Sequence, residues 1–246
     1  MRTNLPIALS IELSIALVAA GAASATCAAQ NVLFDFNNAP AMTSLPADLT
    51  VGGITAHLSA TGQNFSFQQV GSVGIAPAGF SGICVWPNSV YQADLNVSFS
   101  KTLTNFSILY AAQELDCDCA STMKVTAYLN GTLVGSNTMS AVPGGVWPSA
   151  TLSFASASGF NSVVVHYNQI PQCPACDYGV IFMADNMNVT PKAAPAGDLN
   201  GDLKVDAADL AVLLGAWGTN NAAADLNHDT IVNAADLALL LGAWTG

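Results

Sequence analysis

Asp198-Leu-Asn-Gly-Asp-Leu-Lys-Val-Asp-Ala-Ala-Asp209 returns 27 residues later as Asp225-Leu-Asn-His-Asp-Thr-Ile-Val-Asn-Ala-Ala-Asp236. Each copy runs on into an apolar stretch, Leu210-Ala-Val-Leu-Leu-Gly-Ala-Trp217 and Leu237-Ala-Leu-Leu-Leu-Gly-Ala-Trp244. Of the 21 positions from 198 to 218, 15 recur at that offset, so the last fifth of the chain is an internal duplication. Leu210, Leu213, Leu214 and Trp217, and likewise Leu237, Leu240, Leu241 and Trp244, stand at i, i+3, i+4 and i+7. That spacing predicts one apolar face on each of two short helices, and the two faces can pack together.

The acidic phrase ahead of each helix has the chemistry of a calcium loop. Calcium is a hard cation that takes six to eight oxygens. A twelve-residue loop supplies them from positions 1, 3 and 5, a carbonyl at 7, often a water at 9 and an acid at 12. The first copy offers Asp198, Asn200, Asp202, the Lys204 carbonyl, Asp206 and Asp209; the second offers Asp225, Asn227, Asp229, the Ile231 carbonyl, Asn233 and Asp236. Val205 and Val232 fall at position 8, where an apolar side chain is expected to face the partner loop. The solvated, metal-free acidic helix pair is the alternative for this segment.

Over residues 197–244 the duplicated loop, with Asp at position 12 before each helix, resembles the type I dockerin repeat of bacterial secreted proteins. The resemblance implies two EF-hand-type calcium sites and a cohesin-like or other cell-envelope protein as partner. Two departures stand out. Position 6, where such loops carry glycine, is Leu203 in one copy and Thr230 in the other, and positions 10 and 11 are Ala207-Ala208 and Ala234-Ala235 where cellulosomal dockerins carry polar residues.

The formal charge of -11 comes from 16 acids and only 5 bases, Arg2, Lys101, Lys124, Lys192 and Lys204. So few cations assemble no basic patch, which excludes nucleic acid as a partner. With 52% hydrophobic and 9% charged residues, the chain has the apolar content of a folded protein. Arg2, the apolar stretch 5–20 and Ala23-Ser24-Ala25 read as an export signal over 1–25, with a membrane anchor as the alternative. A secreted or cell-surface protein is therefore expected, with no membrane span after cleavage. Export makes disulfides the default for Cys27, Cys84, Cys117, Cys119, Cys173 and Cys176. A four-thiolate zinc site from Cys117-x-Cys119 and Cys173-x-x-Cys176, and free thiols, are the alternatives.

Between signal and repeat, short alternating runs separated by Gly, Pro and Asn recur at 32–36, 54–59, 65–69, 83–86, 95–99, 106–110, 124–129, 132–137, 151–154, 162–167 and 179–189. Many short strands without long helices predict a mainly β domain over 26–190, a β-sandwich of jelly-roll type. Asn130-Gly131 marks a hairpin, because both residues tolerate the positive φ of a type I′ turn. Pro191-Lys-Ala-Ala-Pro-Ala196 reads as a linker to the small helical module, 197–246.

Gly159-Phe-Asn-Ser-Val-Val-Val and Ala184-Asp-Asn-Met-Asn-Val189 are similar to the last strands of galactose-binding-like, carbohydrate-binding jelly rolls. That similarity implies a glycan or polysaccharide ligand and a further structural calcium near Asp35 and Asp185; a plain strand bulge at Asp185-Asn186 is the alternative. Trp86, Trp147, Tyr110 and Tyr167 are candidates for stacking on sugar rings or for core positions. Glu114, Asp116 and Asp118 form either a carboxylate cluster or a solvated loop. His57 and His166 lie in alternating strands without a nucleophile at motif spacing, and no catalytic residue is nominated. The leading expectation is a non-catalytic glycan-binding or adhesive sandwich on a calcium-binding module. A polysaccharide-degrading hydrolase or lyase, as part of polysaccharide catabolism, and a purely structural surface protein are the rivals.

Overall fold

Two long strands that each run through both layers of a sandwich organise the first part of the chain. The computed structural model describes residues 30–72, 74–89, 93–113, 122–141, 147–168 and 181–245. These residues divide into two units, one up to Ala193 and one from Ala194. The first contains β1 (Val32–Phe34), β2 (Ala47–Val51), β3 (Ile54–Gly62), β4 (Phe65–Gln69), β5 (Ile83–Pro87), β6 (Ala93–Gln113), β7 (Thr122–Leu129), β8 (Thr132–Ser140), β9 (Ser149–Tyr167) and β10 (Ile181–Pro191). All the strand pairs are antiparallel.

The first half of β6 pairs with β3, Ala56 opposite Phe99, and with the end of β9, Leu95 opposite Val165. Its second half pairs with β10, Asp185 opposite Leu109, and with the start of β9, Ile108 opposite Leu152. Register breaks between Ser98 and Leu103, where the strand passes from one layer to the other. Gly159 of β9 lies beside that break with φ 90, and a Cβ there would stand 2.5 Å from Thr102 Cγ2. The close approach requires glycine.

Alternation then does the rest. Leu95, Val97 and Val165 from one layer and Phe106, Ile108, Phe182 and Met187 from the other bury into one core. The β-sandwich expectation holds, with two refinements. The runs expected at 95–99 and 106–110 are one strand, as are those at 151–154 and 162–167. β2 was not expected; it pairs with β3 across Gly52-Gly53, a two-residue hairpin signal in its own right. At the expected hairpin, Asn130 and Gly131 have φ 50 and 81, and Leu129 pairs with Thr132. Pro191 closes β10, and the Lys192 N–H still donates to the Thr102 carbonyl at 2.8 Å.

The second unit holds α1 (Ala207–Gly215) and α2 (Ala234–Gly242), nine residues each. Asp206 and Asn233 cap them, each accepting from the N–H two residues on, while Asp209 and Asp236 reach back to the cap N–H. The buried core consists of Val205, Leu213, Ala216, Ala224, Val232 and Leu240. The expected four-residue helical faces are corrected here. Leu210 and Leu237 pack on the core, but Leu214, Trp217, Leu241 and Trp244 are exposed. The helices are too short to carry the tryptophans, and Ala216 and Ala243 take the next inward positions. Val205 and Val232 are fully buried as expected, yet their backbones pair elsewhere. Val205 bonds Thr245, and Val232 bonds Gly218 and Thr219, so each loop is tied to the segment after the other repeat's helix. Among the described residues no helix is long and apolar enough to cross a membrane.

Candidate functional site

The acidic loops are built around the carboxylate at position 12. Asp236, fully buried, accepts from the Leu226, Asn227 and Asn233 N–H groups at 2.7, 3.0 and 2.8 Å. Asp209 does the same for Leu199, Asn200 and Asp206 at 2.8, 3.1 and 2.8 Å. Each loop is thereby folded back onto the first turn of its helix. Asp225 accepts from Asp229 and Thr230, and Asp198 from Gly201, Asp202 and Leu203, which wraps the chain around position 1.

In the second loop one carboxylate oxygen each from Asp225, Asp229 and Asp236 lies within 4.8 Å of the other two. Oxygens bound to one calcium at 2.3–2.6 Å can be no more than about 4.6–5.2 Å apart, so the three fit one coordination sphere. The donors are hard oxygens only, which suits calcium and not a thiolate-seeking metal. Among the described residues it is the one grouping of three such ligand atoms, and Asp198, Asp202 and Asp209 of the first loop do not converge as closely. Position 9 plays a second part. Asn233 Oδ1 accepts from the Ala235 N–H at 2.7 Å, and its Nδ2 donates to Asp229 Oδ2 at 3.2 Å and the Ile231 carbonyl at 3.1 Å. Its oxygen is therefore committed to the helix cap, in keeping with a water-mediated ninth position.

Hydrogen bonds favour the ionised form of one carboxylate in each loop. The Asp206 N–H foremost holds the Asp209 carboxyl below its ordinary range, and the Asn227 amide foremost does so for Asp229.

Position 6 has the backbone of a glycine without being one. Leu203 has φ 70 and Thr230 φ 78. A side chain held there costs about 1–2 kcal/mol, and the entropy of glycine returns about 0.5–1 kcal/mol of that on substitution. Thr230→Gly is therefore expected to strengthen calcium binding by roughly threefold to fivefold, measured by calorimetric titration. Unchanged or weaker binding would mean the strain is relieved in the loop.

In the β-sandwich, Asp185 is buried in a bulge of β10, where Asn186 has φ 48 and the pairing with β6 shifts between Asp185 and Asn188. Its oxygens accept from Ser81 N–H at 3.1 Å and Asn186 N–H at 2.7 Å, which ties segment 77–82 to the sheet. Burial pushes the Asp185 carboxyl up to about 6, and the nearby charge of Asp35 adds to the rise. The fold thus binds this proton more tightly than the unfolded chain does. Its ionised form opposes folding above about 6, and that opposition fades as pH falls towards 3.8. Relative to their intrinsic exchange rates, the β10 amides should be better protected just below pH 6 than above it, and Asp185→Asn should flatten the trend; weaker protection on acidification would contradict this.

The remaining candidates divide cleanly. Tyr110 is buried, its hydroxyl donating to the Met139 carbonyl at 2.6 Å, and Trp86 packs on Trp147 at 6.4 Å; none of these three is an exposed platform. Tyr167 is half-buried beside His166 at 6.3 Å. His57 pairs with Asp48 at 2.6 Å on the surface, while burial foremost lowers the pKa of His166. Cys84 is a buried free thiol pushed up to about 12 by burial, so the disulfide expected of it is absent. Cys27, Cys117, Cys119, Cys173, Cys176, Glu114, Asp116 and Asp118 lie outside the described residues.

One feature escaped the sequence reading. A groove of about 680 Å³ runs over the outer face of β10, β6 and β9 towards β8, lined by Asn105, Ser107, Asn137, Ser153, Asn188 and Thr190 among others. The period-two alternation that buries Phe106, Leu152 and Val189 points these polar neighbours outward. Only their adjacency across strands makes a site of them.

Residues 196–242 match the family model of the dockerin type I domain, which spans both acidic loops and both helices. No curated protein matches the chain. Among solved structures it is similar to a family 29 carbohydrate-binding module, at 10% identity over 61% of this chain and 93% of that one, TM-score 0.30. The C-terminal family 6 carbohydrate-binding module of a laminarinase from Zobellia galactanivorans shows 12% identity over 65% and 99%, TM-score 0.31. A cleaved adhesin domain of Lys-gingipain from Porphyromonas gingivalis shows 15% over 54% and 91%, TM-score 0.32.

Proposed function

We propose that the dockerin type I domain at residues 196–242 is a calcium-folded docking module, and that it joins a non-catalytic, glycan-binding β-sandwich to a cohesin-like partner outside the cell. The observation that carries this reading is the doubled acidic loop, whose second copy gathers Asp225, Asp229 and Asp236 around one cation-sized space. Asp198, Asn200, Asp202, the Lys204 carbonyl, Asp206 and Asp209 would hold one calcium. Asp225, Asn227, Asp229, the Ile231 carbonyl and Asp236 would hold the other, with Asn233 acting through water. The ions supply charge neutralisation and a rigid loop; the protein's own groups orient the helices.

The helices present Val212 and Leu214, and in the second repeat Leu239 and Leu241, to solvent, and Trp217 and Trp244 are exposed just beyond their ends. Ala207, Ala208, Ala234 and Ala235 extend those exposed apolar surfaces at the helix starts. Exposed apolar patches of this kind mark association surfaces. The alanines call for an apolar face on the partner, not a hydroxyl-bonding one. A pull-down with the full chain from the producing organism's envelope, with and without chelator, tests this. A calcium-dependent protein partner lost on Leu214→Ser/Leu241→Ser substitution is expected; capture that ignores chelator would count against it. The glycan half is tested on a glycan array, where binding of no saccharide would remove it.

A further inference from the structure

The groove on the outer face of the sandwich combines three properties. Its side chains are amides and hydroxyls from four strands, with Phe106, Phe154 and Ala155 between them, and none is ionisable. A charged ligand would lose hydration there without meeting an opposite charge, and a chain of formal charge -11 repels acidic ones at longer range. Amides and hydroxyls both donate and accept, which matches the paired hydroxyls of a neutral sugar.

The second property is the lack of a flat aromatic surface. Among the described residues of this unit no Trp or Tyr is exposed: Trp86 and Trp147 pack together, and Tyr110 is buried. Among these residues a crystalline polysaccharide face finds nothing planar to lie on. The third is shape. Paired strands stand about 4.8 Å apart, so β10, β6 and β9 alone span roughly 10 Å, and β8 residues lie beyond them, which leaves room for a short run of rings of one extended chain. The 680 Å³ volume lies in the range of small-molecule sites. Beyond Ser107 the same face is covered by segment 77–82, fastened through Asp185 and Asn186 and by Ser149 Oγ donating to the Ala78 carbonyl at 3.1 Å. The groove is walled there and open along its length.

We infer that this groove is the site for a single, soluble, uncharged oligosaccharide chain, held by hydrogen bonds with Asn105, Ser107, Ser153 and Asn188, and with Thr190 as an acceptor, its own hydroxyl donating to Asn31. The inference rests on the glycan-binding reading and names its site and ligand class.

Calorimetric titration of the full chain with cellohexaose, mannohexaose, xylohexaose and hexagalacturonate tests it, alongside an array of insoluble polysaccharides. At least one neutral hexasaccharide should bind, with little dependence on salt. Asn105→Ala/Asn188→Ala should weaken binding by about tenfold or more, since two hydrogen-bonding amides are lost from the groove. Ser107→Trp should fill the groove and abolish binding, and Thr50→Ala, on the β2–β3 hairpin, should change nothing. If the tryptophan variant does not fold, the double alanine variant decides. Neutral-chain binding that survives both groove variants overturns the site while leaving the glycan-binding reading standing. Preference for hexagalacturonate or for an insoluble crystalline face overturns the ligand class. Binding of no saccharide overturns the glycan reading and this inference with it.

Discussion

Removal of calcium from the full protein is expected to unfold residues 194–245 and to leave the β-sandwich folded. Among the described residues the C-terminal unit buries six apolar residues in its core, Val205, Leu213, Ala216, Ala224, Val232 and Leu240. A domain of about fifty residues with so small a core is marginal without a staple. Without the ion, Asp225, Asp229 and Asp236 bring three carboxylates into a space that fits one cation. At calcium a thousandfold above the dissociation constant each site contributes about 4 kcal/mol, as much as the rest of such a unit is expected to supply. Hydrogen exchange at the Leu213 and Leu240 amides should lose its protection in chelator, while Ile108 and Leu152 in the sandwich keep theirs. Protection unchanged by chelator would show that the helix pair stands without metal.

The second large effect separates two adjacent leucines. Leu240→Ala should destabilise the C-terminal unit by about 2–5 kcal/mol, because the side chain is fully buried in a core too small to collapse around the cavity. Leu241→Ala should alter stability by no more than about 0.5 kcal/mol, since that residue is half exposed. The same holds for Leu213 and Leu214 in the first repeat. The exposed member of each pair should instead weaken partner binding. Thermal unfolding in saturating calcium checks the first statement and the pull-down the second. Equal losses at both leucines would mean that the inward stripe includes Leu241 after all.

These leucines also show where the sequence was legible and where it was not. Loop spacing, duplication and the acid at position 12 are local features. They name the candidate ligands, and the structure shows Asp209 and Asp236 closing the loops through backbone N–H groups. The helical face was misjudged because Leu210 and Leu237 are the fourth residues of nine-residue helices, so their i+7 positions fall beyond the helix ends, near which Val205 pairs with Thr245 and Val232 with Thr219. In the sandwich, alternation identified most strands, since burying one face of a pleated sheet leaves that mark in any sequence. It did not reveal that β6 and β9 each serve two layers, because the bend at Gly159 depends on Thr102 and Leu103 across the sheet. Nor did it reveal the groove. Asn105, Ser153 and Asn188 are each an ordinary outward polar residue in its own strand, and register alone brings them together. Asp185 was readable as a bulge residue or a metal ligand; the bulge is present, and its carboxyl is buried against Ser81 and Asn186.

Counting calcium ions on the full chain by calorimetric titration tests the central claim most directly. The wild-type protein should take two ions in the C-terminal unit, Asp236→Ala should lose one, and Asp209→Ala/Asp236→Ala should lose both. A wild-type protein that binds no calcium, or binding that the double variant leaves intact, would contradict the account.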